Sequence, residues 1–264
     1  MAELTRVAVH GACGRMGRKV LEQVLGDPEL KLVAALDSPR SPLSGTDAGA
    51  LVGRDPIGVA IGSELPRLVD VVIDFSVPEP SLAIAKACAE RELALVVATT
   101  GFSAAQREEL VAHHHSMPLL VAANCSLVVN LLLKLAKDAG AVLRGRDFDV
   151  EIIECHHRYK ADAPSGTALQ FAQVIEKEMK LTGRRHGREG LTGARPQGEI
   201  GIHAVRAGDN VGEHRVIFST LGETMELVHR GHGRESYAKG AVAAAAYLAT
   251  KKAGLYSMAD VLGL

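Results

Sequence analysis

The stretch from Arg6 to Gly17, RVAVHGACGRMG, joins a short β-rich run to a turn with three glycines. A helical pattern follows at Met16, Val20 and Val24, and residues 32–36 (LVAAL) form a second apolar strand pattern. Strand, glycine-rich turn, helix and strand in this order predict a βαβ unit that binds a nucleotide pyrophosphate. The small residues let backbone N–H groups approach the phosphates, and the helix N-terminus faces them.

An acidic residue ends the second strand. Asp37 comes twenty residues after Gly17, close to the offset of about 20 at which such a residue accepts hydrogen bonds from the adenosine ribose. Gly11, Gly14 and Gly17 depart from the generic G-x-G-x-x-G spacing, and a purely structural turn also uses glycines. Together with the flanking strands and helix, they predict dinucleotide binding. Arg15 at the helix start either reaches a phosphate or remains solvated.

Three further apolar runs follow, at residues 69–75, 93–98 and 119–122, the last of which we expect to end the sheet. Helical patterns alternate with them, which predicts a doubly wound, Rossmann-like parallel sheet. Residues 38–53, rich in Ser, Pro, Gly and Asp, are predicted to form a loop. Ligands of such sheets bind beyond the carboxyl ends of the strands. We therefore expect cofactor contacts from Phe75, Ser76, Ala98, Thr99, Thr100, Ala122, Ala123 and Asn124.

The pattern changes at Leu127. A long apolar helix pattern occupies residues 127–143, and residues 200–206, 214–219 and 224–230 alternate as strands of an antiparallel or mixed sheet. The Gly- and Arg-rich segment 182–198 is predicted to be an exposed, mobile loop. An Ala-rich helix pattern at residues 237–251 can return to the first domain. We predict a dinucleotide-binding domain of residues 1–126 plus 235–264, and an α+β domain of residues 127–234.

Composition limits the class of protein. The 264 residues, 47% hydrophobic and 23% charged, suffice for one large or two modest domains with a sizeable core. A net charge of −1 and 3% aromatic residues argue against nucleic acid or an anionic membrane as partner. No uncharged apolar run reaches the ~18 residues of a membrane span. The four cysteines are scattered, without a C-x-x-C pair, so we expect a reduced cytoplasmic protein.

Three contiguous histidines, His113, His114 and His115, suggest a metal site at first sight. Contiguous side chains do not face one way on a helix, and no acidic residue directly adjoins the triplet in the sequence. We therefore expect no metal site.

The stretch Glu151–Leu169, EIIECHHRYKADAPSGTAL, carries a second functional pattern. It begins as an apolar strand and then places four proton donors or cations within five positions, at His156, His157, Arg158 and Lys160. Pro-Ser-Gly-Thr at residues 164–167 begins a helix, whose first N–H groups lack partners. A helix N-terminus beside cations binds anions. The hypothesis is a catalytic loop that binds carboxylate or phosphate and handles a proton, and the alternative is a solvated basic loop.

Together these motifs resemble one family almost from end to end, the 4-hydroxy-tetrahydrodipicolinate (dihydrodipicolinate) reductases of lysine and diaminopimelate biosynthesis. The resemblance is carried by GACGRMG (11–17), VIDFS (72–76) and TTGF (99–102). Its most specific part is ECHHRYKADAPSGTA (154–168), and GEIG (198–201), RAGD (206–209) and GEH (212–214) match as well. The family's own glycine spacing is the one seen here.

The resemblance implies hydride transfer from NAD(P)H to a cyclic imine dicarboxylate, with loss of water. It implies His156 and Lys160 as the catalytic pair, the histidine giving a proton and the lysine stabilising negative charge. The implied substrate-binding residues are His157, Lys160, Ser165, Gly166 and Thr167. To the strand-end residues named above, the implied cofactor site adds Gly11, Ala12, Cys13, Gly14, Arg15, Met16, Gly17 and Asp37.

Two residues depart from the family pattern. Ala98 stands where glycine is usual, and Cys125 stands where Phe or Met is common, but neither removes a proposed catalytic group. The cofactor is NADH or NADPH: Asp37 favours NADH slightly because its charge repels a 2′-phosphate, whereas Arg40 could bind that phosphate.

The resemblance also implies a homotetramer assembled through the second domain, which would combine substrate binding and oligomerisation. Open sheet edges in that domain invite such pairing. We expect a small dicarboxylate substrate, and neither nucleic acid nor membrane as partner. Two other functions stay open at this point. One is a nucleotide-sensing binding protein in which the His/Lys loop only clamps a ligand, and the other is a different amino-acid dehydrogenase.

Overall fold

The computed structural model describes residues 4–264, in two compact units: the part up to Leu127 with Arg234–Leu264, and Val128–Gly233. The strands are β1 (Thr5–His10), β2 (Leu30–Leu36), β3 (Ile61–Gly62), β4 (Val71–Asp74), β5 (Ala94–Val97), β6 (Pro118–Val121), β7 (Asp149–His156), β8 (Gly183–His186), β9 (Glu199–Arg206), β10 (Gly212–Thr220), β11 (Glu223–Gly231) and β12 (Gly254–Tyr256). The α-helices are α1 (Arg15–Val24), α2 (Ala48–Leu51), α3 (Pro78–Ala89), α4 (Ala104–Ala112), α5 (Leu127–Leu143), α6 (Gly166–Met179), α7 (Glu235–Leu248) and α8 (Met258–Leu262). A short 3-10 helix, His113–His115, follows α4.

A parallel sheet in the order β12-β6-β5-β4-β1-β2-β3 forms the centre of the first unit. All its described strand pairs are parallel. The strands are apolar because both faces are covered. Successive residues such as Val7 and Ala8 enter two separate hydrophobic clusters. The predicted doubly wound α/β architecture is confirmed.

Small residues let α7 pack closely within the first unit, where it contacts α1 and the central strands. Ala238, Ala241 and Ala245 are fully buried. A Cβ at Gly240 would overlap the carbonyl oxygen of Cys125, just after β6. The C-terminal segment therefore completes this unit, as its Ala-rich pattern predicts. It also adds β12 beside β6, so the expectation that residues 119–122 end the sheet is wrong.

A mixed sheet in the order β11-β10-β7-β9-β8 and the helices α5 and α6 form the second unit. Strand β10 is antiparallel to β7 and β11, whereas β9 is parallel to β7 and β8. Alternation along β7 places Val150 and Ile152 in a core with Phe171 and Ile175 of α6 and Phe218 of β10. The predicted α+β character of this region is confirmed.

Two segments predicted to be loops contain regular structure. Within residues 38–53, helix α2 begins after Asp47, whose carboxylate accepts hydrogen bonds from the N–H groups of Gly49 and Ala50. The two-residue strand β3 lies a little further on and is too short to show any periodicity. The segment 182–198 begins with β8, which pairs with β9.

Ion pairs hold the rest of segment 182–198 against the sheet. Arg195 lies 2.6 Å from Asp149 and 3.0 Å from Glu151, and Arg188 lies 2.7 Å from Glu151 and 2.6 Å from Glu199. The carboxylates lie on β7 and β9. The prediction of an exposed, mobile loop was made from the Arg-rich segment alone and did not include these ion pairs.

In the described part of the chain, no helix combines the length and apolarity needed to cross a membrane. Helix α5, with 17 residues, is interrupted by Lys134, Lys137 and Asp138.

Candidate functional site

The glycine-rich turn after β1 leaves no room for side chains at two of its glycines. Gly11 has a φ of +75°, and a Cβ there would lie 2.6 Å from the carbonyl oxygen of Phe75. A Cβ at Gly17 would overlap the carbonyl oxygen of Gly11. Strand β1, the turn and α1 therefore pack with bare backbone at the carboxyl end of the sheet. Gly14, the N-cap residue of α1, offers no side chain to the first N–H groups of that helix.

This turn lines a cleft of about 820 Å³ within the first unit. Six predicted cofactor-binding residues line it, namely Gly11, Cys13, Gly14, Asp37, Phe75 and Ser76. Lining residues that the sequence did not indicate include His10, Pro39, Ser63 and Leu65, and Pro80, Ala83, Ile84 and Ala87 of α3. The small and apolar side chains of α3 form a wall suited to a flat ring. Only the sheet order brings α3 to the glycine turn, so no local pattern could reveal this wall.

The carboxylate of Asp37 closes the turn at the end of β2. Its Oδ2 accepts a hydrogen bond from the N–H of Cys13, and its Oδ1 accepts one from the N–H of Ser38, both at 2.8 Å. Each carboxylate oxygen can accept a second bond. Asp37 can therefore still accept from hydroxyl groups of a ligand in the cleft, and its negative charge opposes a phosphate at that place.

The sequence did not indicate the buried polar cluster around Asp74 at the carboxyl end of β4. Asp74 is fully buried and accepts hydrogen bonds from the hydroxyls of Ser76 at 2.6 Å and Ser81 at 2.5 Å. Its Oδ1 lies 2.7 Å from Nδ1 of His10. Burial by itself raises the pKa of Asp74, but the bonds from His10, Ser76 and Ser81 lower that pKa overall. An acidic residue within the apolar run VVIDF was the available signal.

The other predicted residues of the turn stand behind the cleft or beside it. Ala12 is fully buried, and Met16 packs against the hydrophobic core of the first unit. Gly17 is buried, whereas Arg15 is exposed at the start of α1. Gly11, Cys13 and Gly14 are therefore the residues of the turn that line the cleft, and Arg15 is not among them.

The predicted strand-end residues lie along the neighbouring edge of the same sheet. Ala98 and Thr99 are nearly buried after β5, and Thr100 is exposed. Ala122, Ala123 and Asn124 follow β6, the next strand in the sheet. These positions continue the carboxyl edge that β1 and β4 begin.

In the second unit, His156 ends β7 and is held by a buried glutamate two residues earlier. Period-two alternation puts Glu154 and His156 on one face of the strand, and Nδ1 of His156 lies 2.6 Å from Oε2 of Glu154. Burial lowers the pKa of His156. The negative charge of Glu154 opposes this shift, and the positive charges of Lys160 and Arg206 add to it.

Lys160 lies in the turn after β7, with its Nζ 2.8 Å from Oδ1 of Asp162. The backbone of this turn is anchored, because the N–H of His157 donates to the carbonyl of Asn210 at 2.7 Å. Nδ1 of His157 is buried and has no hydrogen-bond partner among residues 4–264.

Helix α6 begins at Gly166, with Ser165 as its N-cap. The Ser165 hydroxyl is buried, accepts from the N–H of Ala168 at 3.2 Å and lies 3.2 Å from Nε2 of His214. The N–H of Ser165 donates to Oε1 of Glu154 at 3.0 Å. One carboxylate therefore connects His156 to the start of α6, where Gly166 is exposed and Thr167 is half-buried.

Two more histidines lie behind His156, on β10 and β11. The ring centroids of His156 and His214 are 5.3 Å apart, and those of His214 and His229 are 5.9 Å apart. Burial, together with the charges of His156 and His229, lowers the pKa of His214 to about 3. His214 is therefore neutral at pH 7 and acts as a partner of the Ser165 cap.

Known proteins resemble this chain along nearly its whole length. Residues 5–125 match the family described as dihydrodipicolinate reductase, N-terminus, and residues 128–262 match dihydrodipicolinate reductase, C-terminus. The chain is 47% identical over 268 residues to the 4-hydroxy-tetrahydrodipicolinate reductase of Rhodopirellula baltica, with 98% of this chain and 96% of that protein covered. It is 45% identical over 268 residues to the enzyme of the same name from Methylococcus capsulatus, covering 98% of each.

A solved structure agrees with these matches. The dipicolinate-bound dihydrodipicolinate reductase from Paenisporosarcina sp. TG-14 superposes with a TM-score of 0.75 at 28% identity, covering 96% of this chain and 97% of that one. The family predicted from the sequence is confirmed. From the two halves of its sequence and from its fold, this chain belongs to the dihydrodipicolinate reductase family.

Proposed function

We propose that this chain reduces 4-hydroxy-tetrahydrodipicolinate to tetrahydrodipicolinate, with release of water, in lysine and diaminopimelate biosynthesis. Membership of the reductase family in both halves of the chain supports this activity. The observation that carries the mechanism is the pair His156–Glu154, which connects a proton donor to the start of α6.

His156 is the proposed donor of the proton that the substrate takes up after hydride transfer. Loss of the ring alcohol as water leaves a conjugated species that accepts a hydride, and the resulting enamine must take a proton on the neighbouring carbon. With Nδ1 of His156 held by Glu154, the protonated ring donates from Nε2. A histidine whose pKa is lowered gives up its proton readily. Lys160 supplies positive charge for the negative charge that develops and for a carboxylate.

The carboxylates of the substrate are assigned to the start of α6 and the turn before it. The Paenisporosarcina protein is bound to dipicolinate, a dicarboxylate. In this chain the donors are the Lys160 ammonium, the unpartnered ring of His157, and the groups of Gly166 and Thr167 in the first turn of α6. Ser165 serves as the N-cap that orients this turn, since its hydroxyl already bonds Ala168.

The first unit is assigned to a nicotinamide dinucleotide, which supplies the hydride when bound. Its residues fit this group: Gly11 and Gly17 keep the turn free of side chains, and Asp37 lines the cleft with acceptor capacity for ribose hydroxyls. We favour NADH over NADPH because the charge of Asp37 opposes a 2′-phosphate. Exposed Arg40 is the residue that would favour NADPH.

A homotetramer that assembles through the sheet of the second unit is part of this proposal. Strand β11 is a nine-residue edge strand of that sheet, and exposed Met225 lies on it. A long edge with unpaired backbone groups favours pairing with another chain. Light scattering that gives four times the chain mass would support this assembly, and a monomer mass would contradict it.

The cytoplasm is the compartment that we propose. All four cysteines carry free thiols, and Cys88 and Cys125 are buried. Free thiols of this kind persist in a reducing compartment.

The test of the function is a direct assay. The protein is mixed with NADH and freshly formed condensation product of pyruvate and aspartate semialdehyde, and the absorbance of NADH is followed. Oxidation that requires both the protein and the condensation product is the expected result. Tight NADH binding without oxidation would indicate a nucleotide sensor, and oxidation only with other amino-acid-derived substrates would indicate a different dehydrogenase.

A further inference from the structure

Arg206 lies beside His156 at the ends of two parallel strands. The two residues are register partners of β9 and β7. The guanidinium of Arg206 binds both oxygens of Glu154, with Nη1 2.8 Å from Oε2 and Nη2 2.7 Å from Oε1. Such a planar fork fixes the orientation of a carboxylate as well as its position.

The same guanidinium reaches the turn that carries Lys160. Its Nη2 also donates to the carbonyl oxygen of Asp162 at 2.6 Å, and the side chain of Asp162 pairs with Lys160 at 2.8 Å. Arg206 therefore contacts the carboxylate that holds His156 and also the residue that pairs with Lys160. One side chain connects the two groups assigned to catalysis.

Glu154 has its acceptor capacity filled. Its Oε1 accepts from the N–H of Ser165 and from Arg206, and its Oε2 accepts from Arg206 and faces Nδ1 of His156. Burial by itself raises the pKa of Glu154, but the bonds from Arg206, His156 and Ser165 lower it overall, so the group is ionised. An ionised carboxylate only accepts hydrogen bonds. In neutral His156 the proton must then reside on Nδ1, which leaves Nε2 for the substrate.

We propose that Glu154 and Arg206 are positioning residues for the reductase reaction: Glu154 holds the tautomer and orientation of His156, and Arg206 holds Glu154 and the Lys160 turn in one arrangement. This inference rests on the proposed roles of His156 and Lys160. The competing interpretation is a purely structural ion pair, which would affect stability alone.

The charges around His156 make the two interpretations distinguishable. Glu154 on its own strand raises the pKa of His156, whereas Lys160 in the turn and Arg206 on β9 lower it. His214 on β10 also faces His156, and the Asp162 carboxylate pairs with Lys160 in the turn. A proton donor loses activity as the pH rises through its pKa. The fall in activity at high pH is the alkaline limb of the pH profile. Removing the Glu154 charge should therefore move this limb to lower pH, and removing the Arg206 charge should move it to higher pH.

The experiment compares Glu154→Gln and Arg206→Gln in pH profiles of kcat and kcat/KM. We expect kcat to fall about 10²-fold in each, with opposite displacements of the alkaline limb and an unchanged Kd for NADH. Arg206→Lys keeps the charge but loses the fork, so its limb should stay in place while its kcat remains low. Arg184→Gln is the matched control, because it breaks another two-bond pair, with Glu176, and should leave kcat and the pH profile unchanged.

A second measurement does not depend on activity or on the folding of the Glu154 and Arg206 variants. ¹H–¹⁵N spectra of the wild-type protein without substrate, assigned with His156→Gln, report which nitrogen of His156 carries the proton. A proton on Nδ1 is expected. A proton on Nε2, or Glu154→Gln and Arg206→Gln variants with wild-type kcat and pH profiles, would overturn the proposal. Failure of the wild type to oxidise NADH with the condensation product would reject the function instead, and the spectra would still test the arrangement of Glu154 and His156.

Discussion

The hydroxyl of Thr99 donates a hydrogen bond to the buried carboxylate of Asp74, with 2.7 Å between the two oxygens. Thr99 follows β5 and Asp74 ends β4, so this bond joins the carboxyl ends of two neighbouring strands. The same carboxylate takes hydrogen bonds from Ser76 and Ser81 and contacts His10 of β1. The buried carboxylate of Asp74 thus connects β1, β4 and the residues after β5 at the proposed cofactor-binding edge of the sheet.

Replacing Asp74 is expected to destabilise the protein strongly. Asp74→Ala leaves the hydroxyls of Ser81 and Thr99 without their buried acceptor, so the free energy of unfolding should fall by about 3 kcal/mol. Urea unfolding measures this loss. The control is Asp138→Ala, which removes an exposed i,i+4 partner of Lys134 on α5 and should cost less than about 1 kcal/mol. Similar losses in the two variants would contradict the role of Asp74.

The glycine turn is testable with two matched glycines. Gly11 and Gly45 both have positive φ angles, of +75° and +82°, but a Cβ at Gly45 would meet nothing within 4 Å. Both Ala variants are strained by about 1–2 kcal/mol in this backbone conformation. Only Gly11→Ala must also displace Phe75. We expect the Kd for NADH, measured by fluorescence titration, to rise at least about tenfold in Gly11→Ala and to be unchanged in Gly45→Ala. Equal Kd values would place the cofactor elsewhere.

The charge of Asp37 is expected to set the preference between NADH and NADPH. Asp37→Ser removes the repulsion toward a 2′-phosphate, and the ratio of kcat/KM for NADPH to that for NADH should rise about tenfold, which corresponds to about 1.4 kcal/mol. Steady-state kinetics with both cofactors give this ratio. Arg40→Ala is the companion variant and should lower kcat/KM with NADPH alone. An unchanged ratio in Asp37→Ser would show that other residues choose the cofactor.

Removing either proposed catalytic group is expected to affect turnover but not cofactor binding. His156→Gln removes the proton donor, and Lys160→Ala removes the stabilising charge, so each should lower kcat by about 10²-fold or more. The Kd for NADH should stay at the wild-type value, because both residues belong to the second unit. Lys177→Ala, an exposed substitution on α6, serves as the control. A parallel loss of NADH affinity in well-folded variants would refute this division of roles.

The ion pairs of Glu151 predict a loss of stability in acid. Burial by itself raises the pKa of Glu151, but bonds from Arg188, His203 and Arg195 lower it from 4.5 to about 2. Between these values the unfolded chain binds the proton and the folded chain does not, so stability falls as the pH falls from 4.5 to 2. Unfolding curves of Glu151→Gln should show a shallower fall over this range. Glu226→Gln removes a more distant, exposed partner of Arg215, at 3.7 Å, and should retain the wild-type slope; parallel curves for all three proteins would contradict this account.

The fold and part of the site could be predicted because their signals are local. The turn of Gly11–Gly17, the acidic end of β2 and the start of α6 each occupy a few consecutive residues whose backbone conformation depends on their own chemistry. Apolar runs likewise identified most strands of the first sheet, and alternating segments identified β9, β10 and β11 of the second. Strands β3 and β12 escaped prediction because they have only two and three residues, and β8 escaped because its sequence GRRH contains no apolar side chain. Such short strands form only when a neighbouring strand offers its edge.

Residue types at short spacing were enough to predict the βαβ unit, the His156–Lys160 turn and the family. Which distant groups meet depends instead on the folded arrangement of the strands and helices. Arg206 reaches Glu154 across 52 residues, and Arg195 reaches Glu151 across 44. Helix α3 lines the cleft, and Thr99 donates a hydrogen bond to Asp74, for the same reason. Such partners are chosen by strand order and register, which follow from burial of the whole core and leave no mark in a local stretch of sequence.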